Sequence, residues 1–406
     1  MCNQKKILIV TAVFPPEPVV SATISYDLAL SLAKHRSVTV LCPKPTRPKG
    51  MHYDAYCFQE NNIERVELES YTCPASSFVG RFRESFSFGQ ASVRYIQEHH
   101  QEISCAYLNT WPIFAQYMAL SALKRYNIPA VLHIQDIYPE SMLSRLGLLG
   151  KILKLPLCFL DKKYLSKADA FFAISGNMKE YLCRTRLFPN EAVSVVRNWQ
   201  DDSLFENIEP KKEEDIFTFM YVGSISPAAG VPFLIRTFGM AKLRGTRLVI
   251  AGSGSEKTVC MKLASTYKDI DIRFCDVTPD TVPVVQKNAD VLLLPLRKGI
   301  GYTASPSKLP AYMFSARPII ACVDPGSDVD HIITESGCGW VCEPENEVEL
   351  ASRLKDAMQT SPDNRRMKGD KARTFAIANF TRKRNLEKMT SVILNYSENE
   401  DKGNRF

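Results

Sequence analysis

The sequence predicts an α/β protein built from two parallel-sheet domains in tandem. Three observations carry this. Apolar strand-like runs alternate with helix-like segments from end to end, the pattern of sheets covered by helices on both faces. The chain has 406 residues, more than one ordinary core accommodates. The alternation breaks once, in a Lys-, Glu- and Asp-rich stretch at 206–215, and then restarts. The predicted domains are therefore 1–205 and 206–380. A last helix near 381–396 is expected to pack back on the first domain, ahead of a polar tail.

The elements follow in order. In the first domain, strands fall on "KILIVTAV", "SVTVLCP", "CAYLNT", "PAVLHIQD", "AFFAIS" and "VSVVRN", short Val-, Ile- and Leu-rich runs bounded by turn residues. Helices fall near 21–35, 86–99, 111–126, 155–167 and 176–185. The second domain repeats the architecture without repeating the sequence, with strands on "FTFMYVGS", "RLVIAGSG", "IDIRFCDV", "DVLLLPL", "PIIACV" and "GWVCEP".

Composition narrows the function. Hydrophobic residues are 45% and charged residues 23%, ordinary for a globular protein. No apolar run approaches the roughly 18 residues of a membrane span. "MCNQKK" leads directly into a strand, without the apolar region of a secretory signal, so the chain is expected to stay in the cytoplasm. The 12 cysteines are scattered without a CxxC pair, and His331, Cys338 and Cys342 match no zinc spacing. Buried thiols and no metal are expected. The net charge of +7 comes without a nucleic-acid motif, so it suits a phosphorylated substrate or an anionic membrane surface. "FVGRFRESFSFGQASVRYI" and "LGLLGKILKLPLCFLDKKYL" mix apolar and basic residues as helices on an anionic bilayer do, although core-facing helices with lysines outside read the same way.

Two stretches carry candidate chemistry. In "GYTASPSKLPAYMFSARPII", Pro310 limits where a helix can begin. With Ser305 as N-cap, Pro310 would be the fifth helical residue and would break a hydrogen bond. With Ser307 as N-cap it is the third, where its nitrogen needs no partner. The amides of Lys308 and Leu309 are then free to meet an anion, with the Lys308 charge beside them. In "HIQDIYPE", His133, Gln135 and Ile137 share one strand face if the strand runs that far. Asp136 then points the other way or caps the turn before Pro139, and Glu140 follows. Arg197 and Asn198 in "VVRNWQD" sit at the presumed domain junction, and Arg297 and Lys298 end the strand "VLLLPL". Strand ends of this kind face ligands.

The order of these pieces resembles the GT-B glycosyltransferases, in particular the retaining enzymes of family 4, over nearly the whole chain. "ILIVTAVFPPEPVVSATISYDLALSLAKH", "VLHIQDIYPES", "ADAFFAISGNMKEYL", "FMYVGSISPAAGVPFLI" and "LVIAGSGSEK" look like successive family segments. "SPSKLPAYMFSARPIIACVDPGSDVDHIITESGCGWVCEPEN" is the most specific match. It resembles bacterial transferases, including fucosamine transferases, that build O-antigen, capsule and colanic acid. The resemblance implies two Rossmann-like domains facing each other across a cleft. It implies retaining transfer of a hexosyl-type sugar from a nucleotide diphosphate, expected to be UDP, to a polyprenyl-diphosphate-linked saccharide. No cofactor or metal is implied, and the expected location is the inner face of the cell membrane. His133, Asp136 and Glu140 would serve catalysis, and Arg197 and Asn198 would line the cleft. Gly223, Gly252, Arg297, Lys298, Thr303, Ser305, Ser307, Lys308 and Leu309 would hold the donor. The chain departs from the family at several points. Thr303 and Ala311 stand where many relatives have Glu, and Ser224 and Ala229 stand where many have Arg and Lys. The usual Gly pair reads Val19-Val20-Ser21, and Gln135-Asp136 replaces His-Asp. A non-catalytic partner subunit and a GT-B sugar-nucleotide epimerase remain as alternatives.

Overall fold

The computed structural model describes residues 4–47, 53, 60–73, 78–109, 113–143, 147–199, 202–206, 216–299 and 308–401. The chain divides into two compact units, Met1–Val196 with Leu386–Phe406, and Arg197–Asn385. The first unit runs β1 (Lys6–Val10), α1 (Val20–Ala33), β2 (Val38–Pro43), β3 (Ile63–Leu68), α2 (Phe78–His99), β4 (Ile103–Asn109), α3 (Ile113–Arg125), β5 (Ala130–Ile134), α4 (Glu140–Leu143), α5 (Gly147–Leu165), β6 (Ala170–Ala173), α6 (Gly176–Arg186) and β7 (Val193–Val195). The second runs β8 (Phe217–Val222), α7 (Val231–Ala241), β9 (Thr246–Ala251), α8 (Lys257–Ala264), β10 (Asp271–Cys275), α9 (Val282–Gln286), β11 (Val291–Pro295), α10 (Lys308–Phe314), β12 (Ile319–Cys322), α11 (Asp328–Ser336), β13 (Gly339–Cys342), α12 (Glu347–Gln359) and α13 (Pro362–Asn379). Helix α14 (Arg382–Asp401) starts in the second unit and finishes in the first, where Thr390 bonds Ser31 at 2.8 Å and Ser397 bonds Ser104 at 2.7 Å.

Both sheets are parallel. Their orders are β3-β2-β1-β4-β5-β6-β7 and β10-β9-β8-β11-β12-β13, the Rossmann order in each case. The order reverses between β1 and β4 and between β8 and β11. At those points the chain leaves neighbouring strands in opposite directions and opens a crevice at their carboxyl ends. The central strands are continuous apolar runs because helices cover both faces. In β8, Phe219 and Tyr221 enter one core cluster, while Met220 and Val222 enter the cluster on the opposite face. Helix starts follow local chemistry: Ser175, Ser327, Asn346 and Ser361 each accept a bond from a first-turn amide.

Four local expectations change. Strand β3, "IERVEL", was absent from the predicted set. It is a sheet edge, and it carries Glu64 and Glu67 exposed to solvent. Helix α2 begins at Phe78, eight residues before the predicted 86. Helix α5 begins at Gly147 and passes through Pro156. Ile152, four residues earlier, is exposed, so water can take the bond that Pro156 cannot donate. Strand β5 stops at Ile134, so Gln135 and Ile137 do not extend the face of His133. Residues 207–215 of the predicted linker lie outside the described residues.

The end of β8 is pinned by one side chain. The Tyr312 hydroxyl accepts from the Val222 amide at 2.8 Å and donates to the Val222 carbonyl at 2.9 Å, all buried. Tyr312→Phe should destabilise the second unit by about 1–3 kcal/mol, the cost of orphaning buried polar groups. Urea unfolding followed by a probe in that unit measures it, and an unchanged midpoint would show the two bonds to be dispensable.

Candidate functional site

The second sheet places a cation at its reversal point. Gly223 extends β8, its amide bonding Ala251 O at 2.9 Å, and Gly252 extends β9, its amide bonding Cys275 O at 2.8 Å. Both have positive φ, 145° and 140°. A Cβ at Gly252 would lie 2.1 Å from the Gly223 carbonyl oxygen, and one at Gly223 would lie 2.2 Å from Lys308 Cε. Glycine at 223 thus leaves the channel in which the Lys308 stem lies. The ammonium sits 5.5 Å from the Tyr221 ring centroid, within cation–π range. Burial pushes its pKa below the ordinary lysine value, and no carboxylate among the described residues pairs with it. A desolvated cation without an anion at a Rossmann reversal point is chemically suited to a phosphate.

The surrounding residues divide. Helix α10 begins at Lys308, and Leu309 is buried in the core. Arg297 and Lys298 are exposed just beyond β11, and the Arg297 amide bonds Ala228 O at 3.3 Å. Thr303, Ser305 and Ser307 lie outside the described residues, and with them the expected N-cap. Arg197 is tied within the second unit. Its guanidinium bonds Asp328 at 2.9 Å, and its amide bonds the Asn385 side chain at 3.0 Å. The Asn198 Oδ1 is buried and has no partner among the described residues.

In the first sheet, Asp136 is exposed just beyond the carboxyl end of β5. The loop that carries it is anchored at both sides. Ser21 donates to Gln135 Oε1 at 3.1 Å, and Arg186 donates to Tyr138 O at 2.7 Å. Glu140 is spent on the same anchor: Arg186 grips its carboxylate at 2.9 and 2.8 Å, and Tyr181 donates at 2.7 Å. Burial raises the Glu140 pKa, but these bonds outweigh it and hold the group ionised. Arg186 also bonds Asp161 at 2.7 Å. Glu140 is thus a fixed anion in a buried network, which suits positioning rather than proton transfer. Sequence reasoning missed Arg186, Asp161, Tyr181 and Tyr221, since no local pattern marks any of them.

His133 is fully buried in β5, between Tyr107 and Phe172. The Tyr107 hydroxyl lies 2.8 Å from its Nδ1. Burial keeps that phenol protonated, and the two groups share one hydrogen bond. Nε2 has no partner among the described residues. Burial lowers the His133 pKa from 6.5 to about 4. This placement seals the ring from solvent and from any hydrophilic acceptor.

Comparisons with known proteins assign a family to each half of the chain. The profile described as "Glycosyltransferase Family 4" matches residues 21–204, and "Glycosyl transferases group 1" matches residues 216–360. The chain belongs to the family 4 glycosyltransferases. The probable glycosyltransferase WbjE of Pseudomonas aeruginosa is 23% identical over 283 residues, covering 65% of this chain and 67% of the relative. Among solved structures, HepE of Anabaena in complex with UDP is similar at TM-score 0.63 and 13% identity, covering 96% of this chain and 100% of that one. WaaG, a glycosyltransferase involved in lipopolysaccharide biosynthesis, is similar at TM-score 0.63 and 15% identity, covering 95% and 99%. At these identities the structures establish the GT-B fold.

His133 generates a pH prediction. Its folded pKa lies below its unfolded value, so between the two the unfolded chain holds the extra proton. The stability from burying it neutral is complete above pH 6.5 and is lost as pH falls toward 4. His133→Leu should remove about 3 kcal/mol of the acid sensitivity between pH 7 and 4. Urea midpoints of both proteins across that range decide it. Parallel curves would contradict a neutral buried ring.

Proposed function

We propose that this protein transfers a sugar from a UDP-linked donor to a polyprenyl-diphosphate-linked saccharide, releasing UDP, with retention at the anomeric carbon, in the assembly of a bacterial surface polysaccharide. The observation that carries the donor half is Lys308. In this reading its ammonium takes the distal phosphate of the donor. Gly223 and Gly252 let the backbone approach the phosphates, and Arg297 and Lys298 stand near. When the sugar–phosphate bond breaks, the electron pair leaves on the nucleoside diphosphate. A preorganised cation stabilises that charge without reorganising. Asp136, exposed at the carboxyl edge of the first sheet, orients the acceptor hydroxyl as it loses its proton. UDP bound to HepE and the role of WaaG in lipopolysaccharide biosynthesis support the donor and the pathway class.

Membrane contact is part of the same proposal. No helix among the described residues is long and apolar enough to cross a bilayer. Helix α5 instead presents Ile152, Leu155 and Phe159 on one face, 66%, 80% and 69% exposed, beside Lys151, Lys154, Lys162 and Lys163. On α2, Val79, Phe82 and Phe86 are exposed beside Arg81 and Arg83. Apolar ridges whose exposed charged neighbours are mostly cations, the acids Glu84 and Asp161 being buried, suit an anionic lipid surface at the cytoplasmic side.

Lys308→Ala should weaken UDP binding by about 1–3 kcal/mol, the loss of a charged hydrogen bond. It should weaken UMP binding less, because UMP lacks the distal phosphate. Calorimetric titration of both nucleotides into both proteins tests this. Equal losses for UDP and UMP, or none, would move the diphosphate away from α10. With a competent donor and acceptor in hand, Asp136→Asn should cut turnover by about a hundredfold while leaving UDP affinity unchanged.

A further inference from the structure

A cavity of about 670 Å³ lies in the first unit, walled by α2, α3 and α5. Its walls are joined by side chains. The Tyr117 and Tyr164 rings stack at 4.7 Å, and Lys167 donates to Ser121 at 2.6 Å. Two of the polar residues along it, Asp161 and Ser121, are already engaged. Asp161 holds Arg186 and Tyr117, and the Ser121 hydroxyl bonds Tyr117 O at 2.7 Å. A peptide would bring amides that this wall leaves unpaired, whereas a hydrocarbon chain brings none. The volume is that of a small-molecule site rather than a seat for a helix.

Direction comes from topology. In a parallel sheet each crossover helix runs against the strands, so α3 and α5 begin at the carboxyl edge. One end of the groove is formed by Phe114, the second residue of α3, and by Tyr138 and Pro139 in the loop after β5. That loop also carries Asp136. The other end is formed by Arg125 and Tyr126, where α3 stops. The groove therefore runs from the Asp136 edge of the sheet down to the opposite edge. Its flank matches an anionic lipid. The exposed or half-exposed charges of α5 are Lys151, Lys154, Lys162 and Lys163, and the one acid of that helix, Asp161, is buried against Arg186.

We propose that this groove takes the isoprenoid chain of the lipid-phosphate acceptor. The chain lies between α2, α3 and α5, its phosphate meets the lysines of α5, and its saccharide is presented at the Asp136 edge. This deepens and rests on the reading of the acceptor as a polyprenyl diphosphate. Each methylene kept out of water is worth about 0.8 kcal/mol, so an apolar groove offsets the cost of drawing a few isoprene units out of the bilayer.

The test uses the full-length protein and farnesyl monophosphate, a soluble short-chain isoprenoid phosphate, titrated calorimetrically. Farnesyl monophosphate should bind, and inorganic phosphate at the same concentration should not. Ser121→Trp, which fills the groove, should weaken binding at least tenfold while UDP affinity and melting temperature stay unchanged. Phe86 is 47% exposed, so Phe86→Ser spares the core and should weaken binding about fivefold even if the Trp variant folds poorly. No binding, or equal binding to wild type and Phe86→Ser, would overturn the groove. Equal competition by palmitate would assign it to a bilayer acyl chain and overturn the acceptor claim. Isoprenoid binding by a protein that neither binds UDP nor transfers sugar would leave the groove standing and sink the transferase reading instead. Sugar transfer that is indifferent to Ser121→Trp, with no farnesyl binding, would do the reverse.

Discussion

Lys308 lies along backbone that only glycine leaves open, and much of the second unit is arranged around that contact. Gly223 gives up its Cβ to the lysine stem, and Gly252 gives up its own to the Gly223 carbonyl. Tyr312, one turn along α10, grips both polar groups of Val222, the residue before Gly223. Tyr221 offers its ring face to the ammonium and its hydroxyl to the Ser224 carbonyl at 2.5 Å. A buried cation with no carboxylate partner among the described residues is an unfavourable arrangement on its own. It becomes favourable when an anion arrives, and binding then needs little reorganisation.

The first unit solves a different problem with the same topology. The carboxyl edge of its sheet presents Asp136 on the loop after β5, and loops move unless something holds them. Arg186 holds this one from below, through Tyr138 and Glu140, and is itself neutralised by Asp161. Replacing one member of such a buried network leaves the others as uncompensated charges, so it behaves as a unit. The network also forms part of the wall of the apolar groove, because Asp161 and Tyr117 belong to both. Loop position and groove shape are thereby linked through one guanidinium.

Much of this was legible in the sequence, for physical reasons that differ by element. Strands such as β8 and β11 stand out because both of their faces are buried, which demands uninterrupted apolar runs. Strand β3 does not, since an edge strand carries charge on the side that meets water. The first two turns of α2 point Val79 and Phe82 outward among arginines, so they lack the buried stripe that identifies a helix. Lys308 was legible because Pro310 restricts where α10 can start, but its bed at Gly223 and Tyr221 was not, being formed by a distant strand. Glu140 looked like a catalytic acid for want of its partner, since Arg186 lies 46 residues away with no local signal. The resemblance put His133 at the cleft, while its burial between Tyr107 and Phe172 depends on neighbouring strands that no local pattern marks.

The most direct test of the account is the titration of the Lys308 ammonium itself, followed by NMR of labelled lysine in the free and the UDP-saturated protein. In the free protein it should titrate below the ordinary lysine value of about 10.4, because burial disfavours the charge and no carboxylate among the described residues opposes that. With UDP bound, the neighbouring phosphate favours the charged form, so the pKa should rise by about one unit or more. A Lys308 signal that titrates identically with and without saturating UDP would contradict the claim that this cation receives the diphosphate.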